Sequence, residues 1–417
     1  MALAAPRICC LDLDTFFVSV ERLLDPSLLA KPVIVGGFDP ERARSKRPLR
    51  GVVTAASYEV RVYGVRSGMS LTQAQELAPH AIYLPTRHDV YMPYAKQVRE
   101  LAENYTPITQ VASIDEMFLD FSGCENLYHK PCDDDPDATI ERVVNQLTDE
   151  IQARIGLPSS AGIATSRSIA KVASGLAKPR GVLLVPSGAE RDLLAPLPVR
   201  KFPGIGPVAE RKLHALGLTT LGAVADADAE VLRRVFGSST RAIQRGLRGN
   251  GVHELGRERP AFQEHDEVGL TLGSISHEHT FHDDARDASR IEGLLCSLCE
   301  RVCWRARNRG VKARTVTLRI RYTDFTTITR SRTLRPTASE FEIFPVLREL
   351  LAKARTRPLP LRLIGVALSN LGYYNDQLEL FDEVGPIHKA VDEVREDHGF
   401  EALRVALSKA RAKRKQR

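Results

Sequence analysis

Four carboxylates interrupt two apolar, strand-like runs of this chain: Asp12 and Asp14 at the end of Ile8–Leu13, and Asp115 and Glu116 within VASIDEMFLDF (111–121). A carboxylate taken out of water is costly unless it is paired or bound to a metal. A fold that buries both runs gains by setting the two clusters on neighbouring strands. There they form a hard-oxygen site suited to Mg²⁺, which takes a few carboxylates plus substrate phosphates. Helix capping or pairing with arginines is the competing reading of the same residues.

Around these runs strand and helix patterns alternate. Helical periodicity over Phe16–Leu24 follows the first run directly and closes at Asp25-Pro26. Lys31–Gly37 and Gly51–Ala56 read as strands, and Thr72–Leu77 and Val90–Asn104 as helices. Val111–Phe121 reads as a hairpin with Ser113–Glu116 at its tip. Helix Ile140–Ile155, strand Ser160–Ala164 and helix Ser168–Leu176 follow. This order predicts an α+β sheet with helices on one side, close to a split βαβ arrangement. The composition shifts near Pro186 to an all-helical stretch, 187–250, holding the glycine turn Gly204-Ile205-Gly206. Residues 251–272 read as a linker, 273–373 as a second α+β unit and 374–417 as a tail. A length of 417 residues with 43% hydrophobic content is ordinary for two to four such domains.

The net charge of +7 is unevenly spread. Residues 301–335 hold eleven basic residues against one acid, Asp324, and 409–417 add six more. Within that block TVTLRIRYTDFTTITRSRT (315–333) alternates as a strand pair does, which places Arg319, Arg321, Arg330 and Arg332 on or near one exposed face. A flat cationic sheet suits a nucleic-acid backbone. No apolar stretch is long enough to span a membrane and no signal-peptide core precedes the first acids, so a cytoplasmic protein with reduced thiols is expected. Cys296, Cys299 and Cys303 fall on one helix face with Leu295, a core stripe and not a zinc site. His277, His279 and His282 lack a fourth ligand, and Asp133, Asp134, Asp135 and Asp137 lack the glycine of a calcium loop, so a solvated loop or helix cap is expected there.

A third element is Ala177-Lys178-Pro179-Arg180-Gly181. With Tyr58 and Arg61 it offers cations and a hydroxyl for a triphosphate, the clamp that phosphoryl transfer requires. Two divalent ions beside such a clamp specify in-line nucleotidyl transfer.

LDLDTFFVSVE (11–21), GVVTAASYEVRVYGVRSGMS (51–70), YLPTRHDVY (83–91), ASIDEMFLDF (112–121) and GIATSRSIAKVASGLAKPRGV (162–182) resemble, in order and spacing, the motifs of Y-family translesion DNA polymerases, most of all their bacterial polymerase IV branch. The resemblance spans residues 7 to about 381. It implies a right hand with a ferredoxin-like palm (1–15 and 87–185), small fingers (16–86), a helical thumb (187–250) and an α+β little finger (273–373). It also implies roles. Asp12, Asp115, Glu116 and the Leu13 carbonyl match the ligands of two Mg²⁺ ions; Asp14 holds an acidic position that is not usually a ligand. Phe17 matches the steric gate beneath the sugar of the incoming nucleotide, with Phe16 beside it. Tyr58, Arg61 and Lys178 match triphosphate contacts. The family commonly has Thr three residues before that Tyr; here Ala55 stands there, preceded by Thr54. Gly204 and Gly206 look like the turn of a phosphate-gripping helix-hairpin-helix. Gln377-Leu378-Glu379-Leu380-Phe381 is similar to the peptide that docks bacterial replication proteins on the sliding clamp, with a core helix as the competing reading.

The expected protein is thus a monomeric DNA-directed DNA polymerase that extends past damaged bases at low fidelity, without proofreading, using primer-template DNA, dNTPs and a clamp. A catalytically silent DNA- and clamp-binding protein predicts loss of a carboxylate or a phosphate cation, yet all are present. A two-metal nuclease would not need Tyr58, Arg61 and Lys178 together.

Overall fold

The computed structural model describes residues 5–38, 49–249, 251, 255, 273–373 and 385–404. The chain divides into two compact units, one within Met1–Pro260 and the other within Thr271–Arg417. Among the described residues no helix is long and apolar enough to cross a membrane.

In the first unit β1 (Ile8–Leu13) turns sharply into α1 (Phe16–Leu24) through Thr15, whose φ of 45° is left-handed. The Ser19 hydroxyl secures the turn by donating to the Asp14 carbonyl at 2.7 Å. β2 (Val33–Gly36), β3 (Val53–Ala56), α2 (Tyr58–Arg61), α3 (Leu71–Leu77) and β4 (Ile82–Pro85) follow. Their three strands form a small sheet in the order β3-β2-β4 with its own core of Ile34, Val53, Val60 and Leu71. Next come α4 (His88–Ala102), β5 (Ile108–Val111), β6 (Glu116–Asp120), α5 (Glu125–Tyr128), α6 (Pro136–Ile155), β7 (Ser159–Ala164), α7 (Arg167–Ala177) and β8 (Val182–Leu184). Asp135 caps α6 by accepting from the Ala138 N–H at 2.7 Å, and Asp133 pairs with Arg142 at 2.7 Å, so the aspartate run is a cap and loop as expected.

The main sheet runs β5-β6-β1-β7-β8, with β1 at its centre. The sequence predicts helices on one side of it, and here the structure differs. Cys9, Leu11 and Leu13 of β1 pack with α4 and α6, whereas Ile8 and Cys10 face α7. β1 is apolar on both faces, and both are covered. Gly162 of β7 makes the second layer possible, because a Cβ there would lie 2.1 Å from the Ser174 nitrogen of α7.

The helices α8 (Glu190–Leu194), α9 (Pro207–Ala215), α10 (Leu221–Asp226), α11 (Ala229–Phe236) and α12 (Thr240–Leu247) make the segment after Pro186 all-helical. Their core residues Phe202, Leu213 and Leu232 join the cluster that holds Ile8, Cys10 and α7. The composition shift therefore marks no break in packing.

The second unit comprises β9 (Ser274–Ala285), α13 (Ala288–Arg307), β10 (Lys312–Tyr322), β11 (Thr327–Thr337), α14 (Glu340–Ala354), β12 (Leu361–Gly372) and α15 (Gly385–His398). Its antiparallel sheet has the order β11-β10-β12-β9. Val316, Leu318 and Ile320 of β10 and Ile364, Val366 and Leu368 of β12 pack with α13 and α14. Cys296, Cys299 and Cys303 are buried in α13, and burial holds the Cys299 thiol well above its ordinary pKa. They are core, as the stripe predicts.

Candidate active site

The strand register joins the two carboxylate clusters. Asp12 of β1 lies opposite Glu116 of β6, and the Leu13 N–H donates to the Asp115 carbonyl at 2.9 Å. Partners that face each other across an antiparallel pair share a side of the sheet. Asp12 and Glu116 therefore sit on the side that α7 covers, and two lysines meet them there: Lys178 Nζ contacts Asp12 and Lys171 Nζ contacts Glu116. The half-buried Asp115 is held by the Ser113 hydroxyl. Burial is the largest influence on Asp12 and lifts its pKa to about 6; Lys178 opposes this, while Asp115 and Glu116 add to it. The three carboxylates thus sense one another. For Lys171 burial disfavours the charge, yet Glu116 outweighs it and raises the ammonium above its ordinary value.

Among the described residues no three acidic, histidine or cysteine side chains converge closely enough to cage an ion by themselves. Lysine and serine partners contact these carboxylates instead. The donor types nevertheless fit Mg²⁺: all are oxygen, Asp12 and Glu116 share one face of two adjacent strands with Asp115 on the loop beside them, and two ammonium groups sit where cations belong. Mg²⁺ sites complete their shell with water and substrate phosphates, so a closed protein cage is not required.

Asp14 has a different task from its neighbour. It is 1% exposed and accepts from the Ser160 hydroxyl at 2.8 Å, the Arg180 backbone N–H at 2.9 Å and the Tyr58 hydroxyl at 3.3 Å. It ties the loop after α7, which carries Lys178, to α2, which carries Tyr58 and Arg61. Asp14 neither caps a helix nor pairs with a guanidinium: its partners are two hydroxyls, one loop N–H and, at 4.0 Å, the Lys178 ammonium. Burial and then the Asp14 charge push the Tyr58 phenol to about 12, so it remains a donor. Arg61 lies over the Tyr58 ring at 4.6 Å and donates from Nε to the Ala56 carbonyl at 3.1 Å. The Thr54 hydroxyl, beside Ala55, donates to the Val35 carbonyl and meets Thr86 Oγ1, each at 2.9 Å.

Phe16 is buried, whereas Phe17 is half-buried and stacks on Tyr91 with centroids 4.5 Å apart and planes 19° apart. In the helical segment Gly204 takes a φ of +92°, and Gly206 precedes α9 with no side chain capping that helix. Pro207 at its start has no N–H, so the donors its first turn offers an anion are those of Val208 and Ala209.

The cationic strands of the second unit are arranged otherwise than the alternation alone implies. Leu318 faces Arg330 and Val316 faces Arg332 across the ladder, so these two arginines share the side of the buried leucine and valine, at the sheet edge. Arg319 and Arg321 lie on the opposite, open side. The single-face expectation fails because it needs a register that the hairpin does not adopt; one residue of slip moves a strand's whole side-chain set. Arg332 pairs with Glu349 of α14 at 2.7 Å. Arg319 pairs with Glu278 at 3.0 Å across Gly365, where a Cβ would lie 2.6 Å from the Glu278 side chain. Arg307 is absorbed between Glu340 and Asp392. Gln377, Leu378, Leu380 and Phe381 lie outside the described residues; the amphipathic sequence after them forms α15, whose Arg395 pairs with Glu300 at 3.1 Å, both almost wholly buried.

Sequence reasoning missed Lys171, Ser113 and Glu21. Lys171 sits in the quoted SIAKVASG stretch one turn from Ser174, and its helical phase toward β1 was the available signal.

Known proteins match this arrangement. The family model described as the impB/mucB/samB family covers residues 11–175, its C-terminal domain 273–380 and its helix-hairpin-helix motif 187–218. A DNA polymerase IV of Dehalococcoides mccartyi is 35% identical over 404 residues, 96% of each chain. That of Streptomyces coelicolor is 37% identical over 380 residues, covering 89% of this chain and 72% of its own. A chimeric Y-family DNA polymerase built from Dbh and Dpo4 shares the fold at a TM-score of 0.72, with 24% identity over 87% of this chain and 98% of its own. The chain belongs to the impB/mucB/samB family, as a DinB-type member of the Y-family DNA polymerases. Its activity is DNA-directed DNA synthesis of the translesion class, which uses a divalent metal ion.

Proposed function

We propose that Asp12, Asp115, Glu116 and the Leu13 carbonyl hold two Mg²⁺ ions, and that the primer 3′-OH attacks the α-phosphorus of a dNTP with pyrophosphate leaving. The observation that carries this reading is the register Asp12 opposite Glu116, with Lys178 and Lys171 at their carboxylates. When bound, the ions would ease deprotonation of the 3′-OH and neutralise charge on the departing pyrophosphate. Lys178 turns from Asp12 toward the triphosphate, joined by the Arg61 guanidinium and the Tyr58 hydroxyl, while Asp14 keeps their elements in register. Phe17 lies beneath the sugar and Phe16 backs it. Residues 1–15 and 87–185 serve as palm, 16–86 as fingers, 187–250 as thumb and 273–373 as little finger. Primer extension on undamaged and damaged templates, each dNTP supplied singly, tests the reading: templated insertion opposite both is expected, and untemplated addition or strand cleavage overturns it.

The open sheet face of the second unit is proposed as a DNA surface. It is lined by Thr317, Ser331, Ala367 and Ser276 beside Arg319 and Arg321, small groups that let a phosphate backbone approach closely. Replacing Arg319 and Arg321 with Ala is expected to weaken binding equally on unrelated duplexes and to shrink the log K against log salt slope by up to about 0.9 per lost contact. Their surface partners offer little competition, since exposed pairs are worth about 1 kcal/mol or less. Arg332→Ala, on the opposite side of the ladder, changes the slope less. Equal slopes for the two variants would move the DNA to another face. The thumb turn at Gly204 and Gly206 adds backbone N–H contacts to phosphates.

The QLELF segment, 377–381, is proposed to tether a monomeric enzyme to a sliding clamp. Changing Leu380 and Phe381 to Ala should leave short-primer extension intact and remove stimulation by a loaded clamp. Loss of basal extension would instead assign the segment to the folded core.

A further inference from the structure

Glu21 is 4% exposed on α1, one helical turn beyond Phe17. Its carboxylate accepts from Arg87 Nε at 3.0 Å, from Arg87 Nη2, and from the Tyr91 hydroxyl at 2.6 Å. Arg87 and Tyr91 are themselves one turn apart at the start of α4. Phe17 with Glu21 on one helix and Arg87 with Tyr91 on the other therefore form a two-by-two lattice: ring on ring in one row, carboxylate on hydroxyl and guanidinium in the next. Tyr91 is fully buried. Burial first, then the bond to Glu21, keeps its phenol above the ordinary range, so it stays a donor.

Stability alone does not account for this arrangement. Glu21 is buried but 43% of the Arg87 side chain is exposed, so the ion pair straddles the rim of the core and adds little net stability. What the charged arrangement supplies is direction. An apolar stack can slide, whereas a phenol held at its oxygen by a fixed carboxylate cannot slide without breaking a bond in a dry site. The edge contact of His88 with Phe17, centroids 5.6 Å apart, closes another side of the ring.

We infer that Glu21 is a positioning residue for sugar selection: through the Tyr91 hydroxyl it fixes the ring on which Phe17 stacks and so makes the gate rigid. The inference rests on the reading of Phe17 as that gate. The test uses the full chain as wild type, Phe17→Ala, Tyr91→Phe, Glu21→Gln and the double variant Phe17→Ala/Tyr91→Phe. It reads kcat/KM for matched dNTP and rNTP together with the thermal midpoint. Tyr91→Phe keeps the ring and removes only the anchoring bond. It and Glu21→Gln are expected to raise the rNTP/dNTP ratio about tenfold. In the Phe17→Ala background Tyr91→Phe should add nothing, because the gate is already gone. An unchanged ratio in Tyr91→Phe and Glu21→Gln, with Phe17→Ala still relaxed, overturns the role of Glu21 and leaves the gate standing. So does a joint fall of both activities with the melting midpoint. An unchanged ratio in Phe17→Ala removes the gate itself. If Glu21→Gln does not fold, the near-isosteric Tyr91→Phe decides alone.

Discussion

Asp115→Ala and Glu116→Ala should each abolish primer extension, by at least about a thousandfold in kcat, while primer-template affinity changes by less than about tenfold. The separation follows from where each carboxylate spends its interactions. The Glu116 main chain sits in the β6–β1 ladder and is unaffected by truncation of its side chain. The partner left behind, Lys171, has 45% of its side chain exposed and can turn to water, so no buried charge is stranded. Asp115 lies on the loop between β5 and β6, where its side chain bonds only Ser113 among the described contacts. Neither group holds the sheet together. On the proposed reading both hold the cations that would neutralise the negative charge collecting during transfer, and a cation held there acts on the transition state far more than on the ground state. Melting curves and salt-dependent binding check the fold and the affinity, and single-turnover extension checks the chemistry. Activity near wild type in either variant removes that residue from the metal site.

The parts of this site that were legible in the sequence were those where chemistry conflicts with local pattern. Asp12, Asp115 and Glu116 stood out because apolar strands do not carry carboxylates without a reason. The glycine turn at 204–206 stood out as an exception to helical composition. What could not be read was anything set by register or by helix phase. Alternation within β10 and β11 is visible residue by residue, yet which alternate set faces α13 and α14 depends on how the two strands pair, and Arg330 and Arg332 fell on the side opposite to Arg319 and Arg321. The second helical layer on the main sheet was hidden for a related reason: its signal was Gly162, a residue whose meaning is a close approach by an element, α7, that follows it. Asp14 and Glu21 look like ordinary acids of a strand end and a surface helix. Only the fold brings Tyr58 and Ser160 to the one and Tyr91 and Arg87 to the other.

Phe17→Ala is expected to keep substantial dNTP incorporation and to gain rNTP incorporation by about two orders of magnitude or more. A ribonucleotide differs from the correct substrate by one 2′-OH, and a pocket that can relax rejects an added hydroxyl only about a hundredfold. Stronger rejection needs an obstacle that does not yield. Phe17 follows the left-handed turn at Thr15 on the second residue of α1, which fixes its backbone, and its ring is confined by Phe16 at 5.5 Å, His88 at 5.6 Å and Tyr91 at 4.5 Å. The competing view, that Phe17 is simply core, predicts something else. A fully buried Phe cut to Ala costs about 3 to 5 kcal/mol and would depress both activities together. Phe17 is only half-buried and sits at the margin of the core cluster, not inside it, so its loss should fall below that range. The side it leaves open is what a gate requires, since a ring closed on every side could touch no sugar. Measured kcat/KM for matched dNTP and rNTP pairs separates the two views in a single variant: a ratio that moves while the dNTP rate holds is the gate, and rates that fall together with the melting midpoint are the core.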